Sequence, residues 1–239
     1  MIDAKSPSLP FTEYDLLNAW RYPGCPVCQL SARSVKHYLA SVFQESVRDP
    51  DTRVSLLSSR GFCAEHVSLL ITERIANETS ASVIYGDMAG NILRDISAAL
   101  SSMGRPSKSN RPKRQTQAIT KFIKEFRNDD QCSACKQREM TVDHLLNELS
   151  GRLRDDRMRE ALQKSDGLCL PHLAQLLERV QSAEDARFLL NLTQEKLQKL
   201  QSEMLDLIRQ QESGQTDNLN SSEATAWRNV MRMISGAQQ

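Results

Sequence analysis

The stretch Cys132-Ser-Ala-Cys135, followed further along by Gly167-Leu168-Cys169-Leu170-Pro171-His172, repeats a pattern that has already occurred once in the chain. The earlier occurrence is Cys25-Pro-Val-Cys28, followed by Gly61-Phe62-Cys63-Ala64-Glu65-His66. Written as spacings, the two are C-x2-C-x34-C-x2-H and C-x2-C-x33-C-x2-H. The two CxxC and two CxxH motifs together use all six cysteines of the 239-residue chain.

Each occurrence offers three thiolates and one imidazole, which is the closed ligand set of a structural zinc site. The eight candidate ligands are Cys25, Cys28, Cys63, His66, Cys132, Cys135, Cys169 and His172. Because thiolates are soft donors, two Zn²⁺ sites are the first prediction and an iron–sulfur cluster is the alternative. A set of small buried core cysteines is the third interpretation, and the repeated spacing disfavours it.

The other two histidines, His37 and His144, each lie nine residues after the second cysteine of a CxxC motif. Nine residues along a helix is half a turn out of phase with that cysteine. We therefore predict that these histidines face a core edge or solvent, and we retain them only as accessory candidates.

The composition predicts an all-α protein. Aromatic residues make up 5% of the chain and charged residues 26%, with only nine glycines. The N-terminal residues lack the apolar region of a secretory signal, and no run approaches the roughly 20 apolar residues of a membrane span. We therefore expect no membrane association and a cytoplasmic location, where reduced thiols serve as ligands or redox groups rather than as disulfides.

Apolar stripes and helix breakers predict two duplicated helical modules, each with one Cys3His site. The predicted segments are a disordered lead (1–10), a first module (11–103), a basic linker (104–115), a second module (116–182), and a C-terminal long helix with a docking helix (183–239). The similarity extends beyond the ligands, as in Ser59-x-Gly61-x-Cys63 and Ser165-x-Gly167-x-Cys169. Such matches favour duplication of a helical unit.

The metal motifs are predicted to begin helices, with Cys25 and Cys63 at N-cap positions. Pro26 suits the first helical turn, and a helix N-terminus favours thiolates. The long helix and the returning segment each cover roughly 30 Å, so Cys63 and His66 can reach Cys25 and Cys28. We therefore expect each metal to hold the two ends of a helical hairpin, although the spacing leaves open whether a site closes within one module or across modules.

Positive charge is concentrated in the middle of the chain. Residues 105–128 contain eight basic residues and one acidic residue, although the net charge of the chain is only +1. A basic segment neutralises phosphates, so nucleic acid is a candidate partner of Arg105, Lys108, Arg111, Lys113 and Arg114. A solvated tether is the favoured interpretation, because no aromatic residues interleave in the linker to stack on bases.

Four short segments together resemble a bacterial family of unknown function with paired CPxC…GxCxxH modules and a Trp-Arg helix near its end. These segments are Cys-Pro-Val-Cys, Arg-Gly-Phe-Cys-Ala-Glu-His, Asp-Gly-Leu-Cys-Leu-Pro-His-Leu and the terminal Ala-Trp-Arg-Asn-Val. The resemblance covers residues 11–236 and implies a cytosolic helical protein with two metal modules, without a known activity. Cys132-Ser-Ala-Cys135 departs from it by lacking the proline.

The favoured function is a binding or scaffold module stabilised by structural zinc. No G-x-S-x-G, P-loop, H-E-x-x-H or Rossmann glycine pattern is present, so we expect a binding protein rather than an enzyme. An iron–sulfur or thiol redox protein is the alternative, and a nucleic-acid-associated protein is the second alternative. An unidentified protein partner is expected. The apolar stripe of residues 183–212 predicts packing on the domain's own core or, as a second option, a homodimer.

Overall fold

The computed structural model describes residues 13–103, 132–212 and 223–236, together with positions 116, 119, 120, 122 and 123. All regular secondary structure in this part of the chain is helical, as the composition predicts. The helices bounded there are α1 Glu13–Ala19, α2 Pro26–Gln44, α3 Pro50–Ser58, α4 Ala64–Thr72, α5 Glu78–Met103, α6 Ser133–Arg152, α7 Asp156–Lys164, α8 Leu170–Leu177, α9 Ala183–Glu212 and α10 Glu223–Ser235. None of these helices is long and apolar enough to cross a bilayer.

Two of the predicted segments, the disordered lead and the basic linker, lie outside the described residues. The five basic residues proposed to contact nucleic acid, Arg105, Lys108, Arg111, Lys113 and Arg114, lie there as well. Most of the helix predicted from 116 to 127 is also outside the described part. These predictions therefore stay predictions.

The described residues form two compact units, each with its own hydrophobic core. The central unit comprises residues 35–103 and 132–137, and the flanking unit comprises 13–34, 138–212 and 223–236. Helices α2 and α6 each contribute to both units, because their first turns belong to a different unit from their remaining residues. This division determines which metal motifs come together.

The core of the central unit is built on the second part of α2. Its buried side chains recur at helical spacing, which gives the helix one apolar face: Val35, Leu39, Val42 and Phe43. Phe62, just before α4, packs against Phe43 with ring centroids 6.0 Å apart. Leu56 of α3, Leu70 of α4 and Ile84 of α5 complete the same cluster.

The core of the flanking unit is centred on α6. Its fully buried leucines lie on one face of the helix: Leu145, Leu146, Leu149 and Leu153. Buried residues of α1 and of α7 to α9 pack against them. The Trp20 indole Nε1 donates to the Met158 Sδ at 3.3 Å, which joins the end of α1 to α7. The last helix, α10, packs against α8 and α9.

An aspartate N-cap precedes one short helix in each unit, α3 in the central unit and α7 in the flanking unit. Asp49 precedes α3 and accepts a hydrogen bond from the Thr52 backbone N–H, and Asp155 precedes α7 and accepts from Arg157 and Met158. A side-chain cap satisfies backbone donors that have no partner within the helix. The sequence predicts α3 from Thr52, but the Asp49 cap and Pro50 at the first helical position start it two residues earlier.

An arginine of α7 and an arginine of α3 each pair with an aspartate on the long helix of the same unit. In the flanking unit, Arg159 of α7 pairs with Asp185 of α9 at 2.8 Å, and Asp185 is buried. In the central unit, Arg53 of α3 pairs with Asp87 of α5, whose side chain is about half exposed. Both pairs join a short helix to a long helix, but they differ in burial.

Candidate metal centres

The outer cluster consists of the first CxxC and the second CxxH, and it lies within the flanking unit. Its four donors are the Sγ atoms of Cys25, Cys28 and Cys169 and a ring nitrogen of His172, and all lie within 4.8 Å of one another. The Cys28 Sγ lies 3.7 Å from the Cys169 Sγ and 3.4 Å from the His172 Nδ1. All three cysteines are buried.

The inner cluster consists of the first CxxH and the second CxxC, and it lies within the central unit. Cys63, His66, Cys132 and Cys135 place four donors within the same 4.8 Å limit. The His66 ring is completely buried, and its Nδ1 lies 3.1 Å from the Cys63 Sγ and 3.6 Å from the Cys135 Sγ. Cys63 and Cys135 are partly exposed, so this cluster is the more accessible of the two.

The four motifs therefore pair in a nested order, with the first joined to the fourth and the second to the third. The expectation that Cys63 and His66 would close on Cys25 and Cys28, within one predicted module, is wrong. The chain between the first CxxC and the first CxxH is long enough for closure within a module. These two motifs nevertheless belong to different units, because α2 passes from one unit to the other. The clusters join residues that are far apart in the chain, 141 positions for Cys28 and Cys169 and 72 positions for Cys63 and Cys135, rather than the two ends of one hairpin.

Helix N-termini meet at both clusters, as the sequence predicts. Cys63 and Cys169 occupy the N-cap positions of α4 and α8, and neither side chain makes a capping hydrogen bond. Cys25 and Cys132 directly precede α2 and α6. Each N-terminus carries a partial charge of about +0.5, so two of them offset about one negative charge. Three thiolates and one divalent cation carry a net charge of −1, which is the charge that the two helix N-termini offset.

The thiols of each cluster perturb one another in the metal-free protein. Hydrogen bonding to Cys169 and burial raise the pKa of Cys28, and hydrogen bonds from Cys25 and Cys28 lower the pKa of Cys169. Burial raises the pKa of Cys135 to about 12. Burial opposes the charged form of His172, but the Cys169 and Cys25 sulfurs outweigh it and raise that pKa to about 9. Three thiolates therefore need a cation before they can coexist at neutral pH.

The loops that carry the outer cluster are tied together by polar contacts. The Gly24 backbone N–H donates to the Asp166 carboxylate at 2.7 Å, which connects the segment before the first CxxC to the segment before the second CxxH. Gln29 donates to the carbonyls of Pro23 and Gly24. The Lys196 ammonium of α9 donates to the Ser165 carbonyl. These contacts hold the segments that carry Cys25 and Cys169 beside each other.

Glycines with positive φ lead into both CxxH motifs. Gly61 has φ of +87° and Gly167 has φ of +84°, a region that other residues rarely adopt. Each is also crowded, because a Cβ at Gly167 would lie 3.0 Å from the Lys196 Cδ and one at Gly61 would lie 3.1 Å from the Met88 Sδ. The shared turn brings each CxxH cysteine to its helix N-terminus.

The C-terminal end of α10 covers the outer cluster, a contact that the sequence does not predict. The Gly236 carbonyl oxygen lies 3.6 Å from the Cys28 Sγ, and a Cβ on Gly236 would lie 3.4 Å from the Cys169 Sγ. Gly236 also has φ of +70°. A glycine directly after an apolar helix signals a helix end, but nothing in the sequence indicates the cysteines that it contacts.

His37 and His144, the accessory candidates, do not join either cluster. Both side chains are exposed. The eight residues in the two clusters are the same eight that the motif spacing nominates.

A family model described as a family of unknown function, DUF6062, matches residues 16–238. The matched range contains all eight cluster residues and α10, and it confirms the resemblance drawn from the sequence. No curated protein and no solved structure matches the chain.

Proposed function

This chain belongs to the DUF6062 family, whose function is unknown, and we propose from its two clusters that each holds one structural Zn²⁺. The observation that carries the proposal is that three sulfurs and one imidazole nitrogen lie within 4.8 Å of one another in both clusters. Four protein donors fill a tetrahedral zinc ion and leave no position for water or substrate. The ions then stabilise the fold instead of performing chemistry.

The distances between donors support a single tetrahedral ion. With Zn–S of about 2.3 Å and Zn–N of about 2.0 Å, tetrahedral edges are about 3.8 Å between two sulfurs and about 3.5 Å between sulfur and nitrogen. The sulfur atoms of Cys28 and Cys169 lie 3.7 Å apart in the outer cluster, and those of Cys63 and Cys135 lie 3.8 Å apart in the inner cluster. Sulfur–nitrogen pairs that join different motifs measure 3.4 to 3.6 Å. Only the pairs inside the CxxH motifs are shorter, at 3.1 and 3.2 Å.

The same distances disfavour an iron–sulfur cluster. In such clusters the protein ligands are divided among two or more irons, which places some donors further apart than the edge of one tetrahedron. A single ion is the arrangement that four mutually close donors favour. A redox role would also require a donor set that opens or exchanges, whereas most of these side chains are buried.

We further propose that the protein acts as a binding or scaffold module in a reducing compartment such as the cytoplasm. The six cysteines remain available as ligands only where thiols are kept reduced. Both ions stabilise helix N-termini within hydrophobic units, so the outer helical surfaces remain available for partners. The basic residues of the linker are a separate candidate for nucleic-acid contact, which salt-dependent binding would test.

Elemental analysis of the protein purified without added metal is expected to give two zinc ions per chain. Cys28→Ser and Cys135→Ser should each reduce this value to one, because each removes a ligand from a different cluster. His37→Ala and His144→Ala are the matched controls and should keep both ions, since neither side chain belongs to a cluster. Iron in place of zinc, inorganic sulfide, or less than one ion per chain would contradict the proposal.

Metal affinity is expected to rise with pH across the neutral range. At neutral pH the metal-free protein holds protons on Cys135, whose pKa is about 12, and on His172, whose pKa is about 9. The metal must displace these protons, so each displaced proton strengthens apparent binding about tenfold per pH unit. Competition with a chromophoric chelator at several pH values, corrected for the chelator's own protonation, measures this. Affinity that is constant with pH would show that the ligands bind already deprotonated.

A further inference from the structure

Helices α8, α9 and α10 of the flanking unit form a groove with an apolar floor. Its cavity of about 620 Å³ is lined by ten residues, none of them charged. The apolar lining residues are Leu170, Leu173, Leu190, Leu197, Met204 and Val230. Thr193 and three glutamines of α9 supply the polar part of the lining. A charged peptide or a nucleotide would find no counter-charge there, so an apolar occupant suits this groove.

A ridge of large apolar side chains lies beside the groove. Trp227, Met231 and Ile234 follow one face of α10 at helical spacing, and each is between 45 and 60 % exposed. Leu190, which lines the groove, and Leu205 and Ile208 further along α9 are exposed to a similar degree. Arg228 holds its guanidinium 5.0 Å from the centre of the Trp227 ring. Exposed apolar patches of this kind mark interaction sites.

We propose that this face binds a second copy of the chain, with the α10 ridge of each copy in the α9 groove of the other. The chain itself supplies both complementary elements, an apolar ridge and an uncharged apolar groove, next to each other in one unit. Two copies related by a two-fold axis therefore make the same contact twice and leave neither element exposed. An unrelated helix would fill the groove but leave the ridge of α10 exposed.

The area is sufficient for such a dimer. Six large apolar side chains at about half exposure present roughly 500 Å² of apolar surface per copy. A stable interface buries about 800 Å² on each partner, and a polar rim usually provides part of this area. The glutamines along the groove are placed to form part of that rim. Leu170 and Leu173 in the groove floor come from α8, the helix that begins at the outer cluster.

Sedimentation of the full-length, metal-loaded protein tests this proposal. We expect a species of twice the 27.0 kDa chain mass at micromolar concentration. Met231→Glu on the ridge and Leu190→Lys in the groove should each weaken the dimer at least tenfold, because each buries a charge without a partner. Ile71→Glu, at a residue of the central unit that is 70 % exposed, is the matched control and should leave the dimer intact.

A mixture of the two variants separates this arrangement from other ways of self-association. In a mixed dimer the Glu ridge of one copy meets the Lys groove of the other, while the second contact is unaltered. Dimers should therefore return on mixing. A monomeric wild-type protein, a monomer that instead retains a lipid in native mass spectrometry, or no recovery on mixing would overturn the proposal. Helicity and metal content are measured in every variant, so loss of zinc would be recognised separately.

Discussion

The double substitution of Cys28→Ser with Cys169→Ser is expected to cost the protein one metal ion, whereas Cys28→Ser with Cys63→Ser is expected to cost it both. Cys28 and Cys169 belong to one cluster, so the second substitution removes a ligand from a site that is already lost. Cys28 and Cys63 belong to different clusters although they lie in the same predicted module. The number of ions that each double variant loses, measured by elemental analysis, therefore shows which motifs share a cluster.

Stability should follow the same non-additive pattern. Structural zinc contributes on the order of 10 kcal/mol to folding in small zinc domains, so losing one ion should lower the unfolding free energy by several kcal/mol. The second substitution within one cluster should add little, and a second substitution in the other cluster should add a similar amount again. Cys63→Ser with Cys135→Ser is the reciprocal control for the inner cluster. If the double variant of Cys28→Ser with Cys63→Ser lost only one ion, the nested pairing would be wrong.

Asp185→Ala is expected to lower the unfolding free energy by about 3 kcal/mol, because it leaves Arg159 without its buried partner. The Asp185 side chain is 10 % exposed and pairs with Arg159 at 2.8 Å. Arg159 also stacks on Phe188, which fixes the guanidinium in place. Urea denaturation of the metal-loaded protein measures the change.

Asp87→Ala is the matched control in the central unit. Asp87 of α5 pairs with Arg53 of α3, but it is about half exposed, so its removal should cost less than about 1 kcal/mol. Equal losses for the two variants would show that burial does not determine the contribution of these pairs. Metal content should stay at two ions in both.

Much of the local structure follows from the sequence. The Cys-Pro pair predicts the start of α2, and the CxxH motifs after Gly61 and Gly167 predict the starts of α4 and α8. The apolar stripe of residues 183–212 gives the bounds of α9 as the structure has them. These features depend on neighbouring residues, for which helix caps and periodicity are direct signals.

The partner of each motif does not follow from the sequence. The spacings of 34 and 33 residues are nearly equal, so chain length permits closure within a module or across modules. The choice is made by distant contacts, such as Gly24 with Asp166 and Trp20 with Met158, which lie 142 and 138 residues apart. Such contacts have no periodic signature. The contact between Gly236 and Cys28, which are 208 residues apart, cannot be predicted from the sequence for the same reason.

The nested pairing has a consequence for synthesis on the ribosome. The first CxxC is made early, but Cys169 follows Cys28 by 141 residues, which takes about 7 to 28 seconds at ordinary elongation rates. During that interval the nascent chain already contains Cys25, Cys28, Cys63 and His66, a full set of four donors for one zinc ion. An ion bound by these four donors would have to be released once Cys132, Cys135, Cys169 and His172 have been synthesised. The order of translation therefore favours a temporary site that the folded protein does not keep.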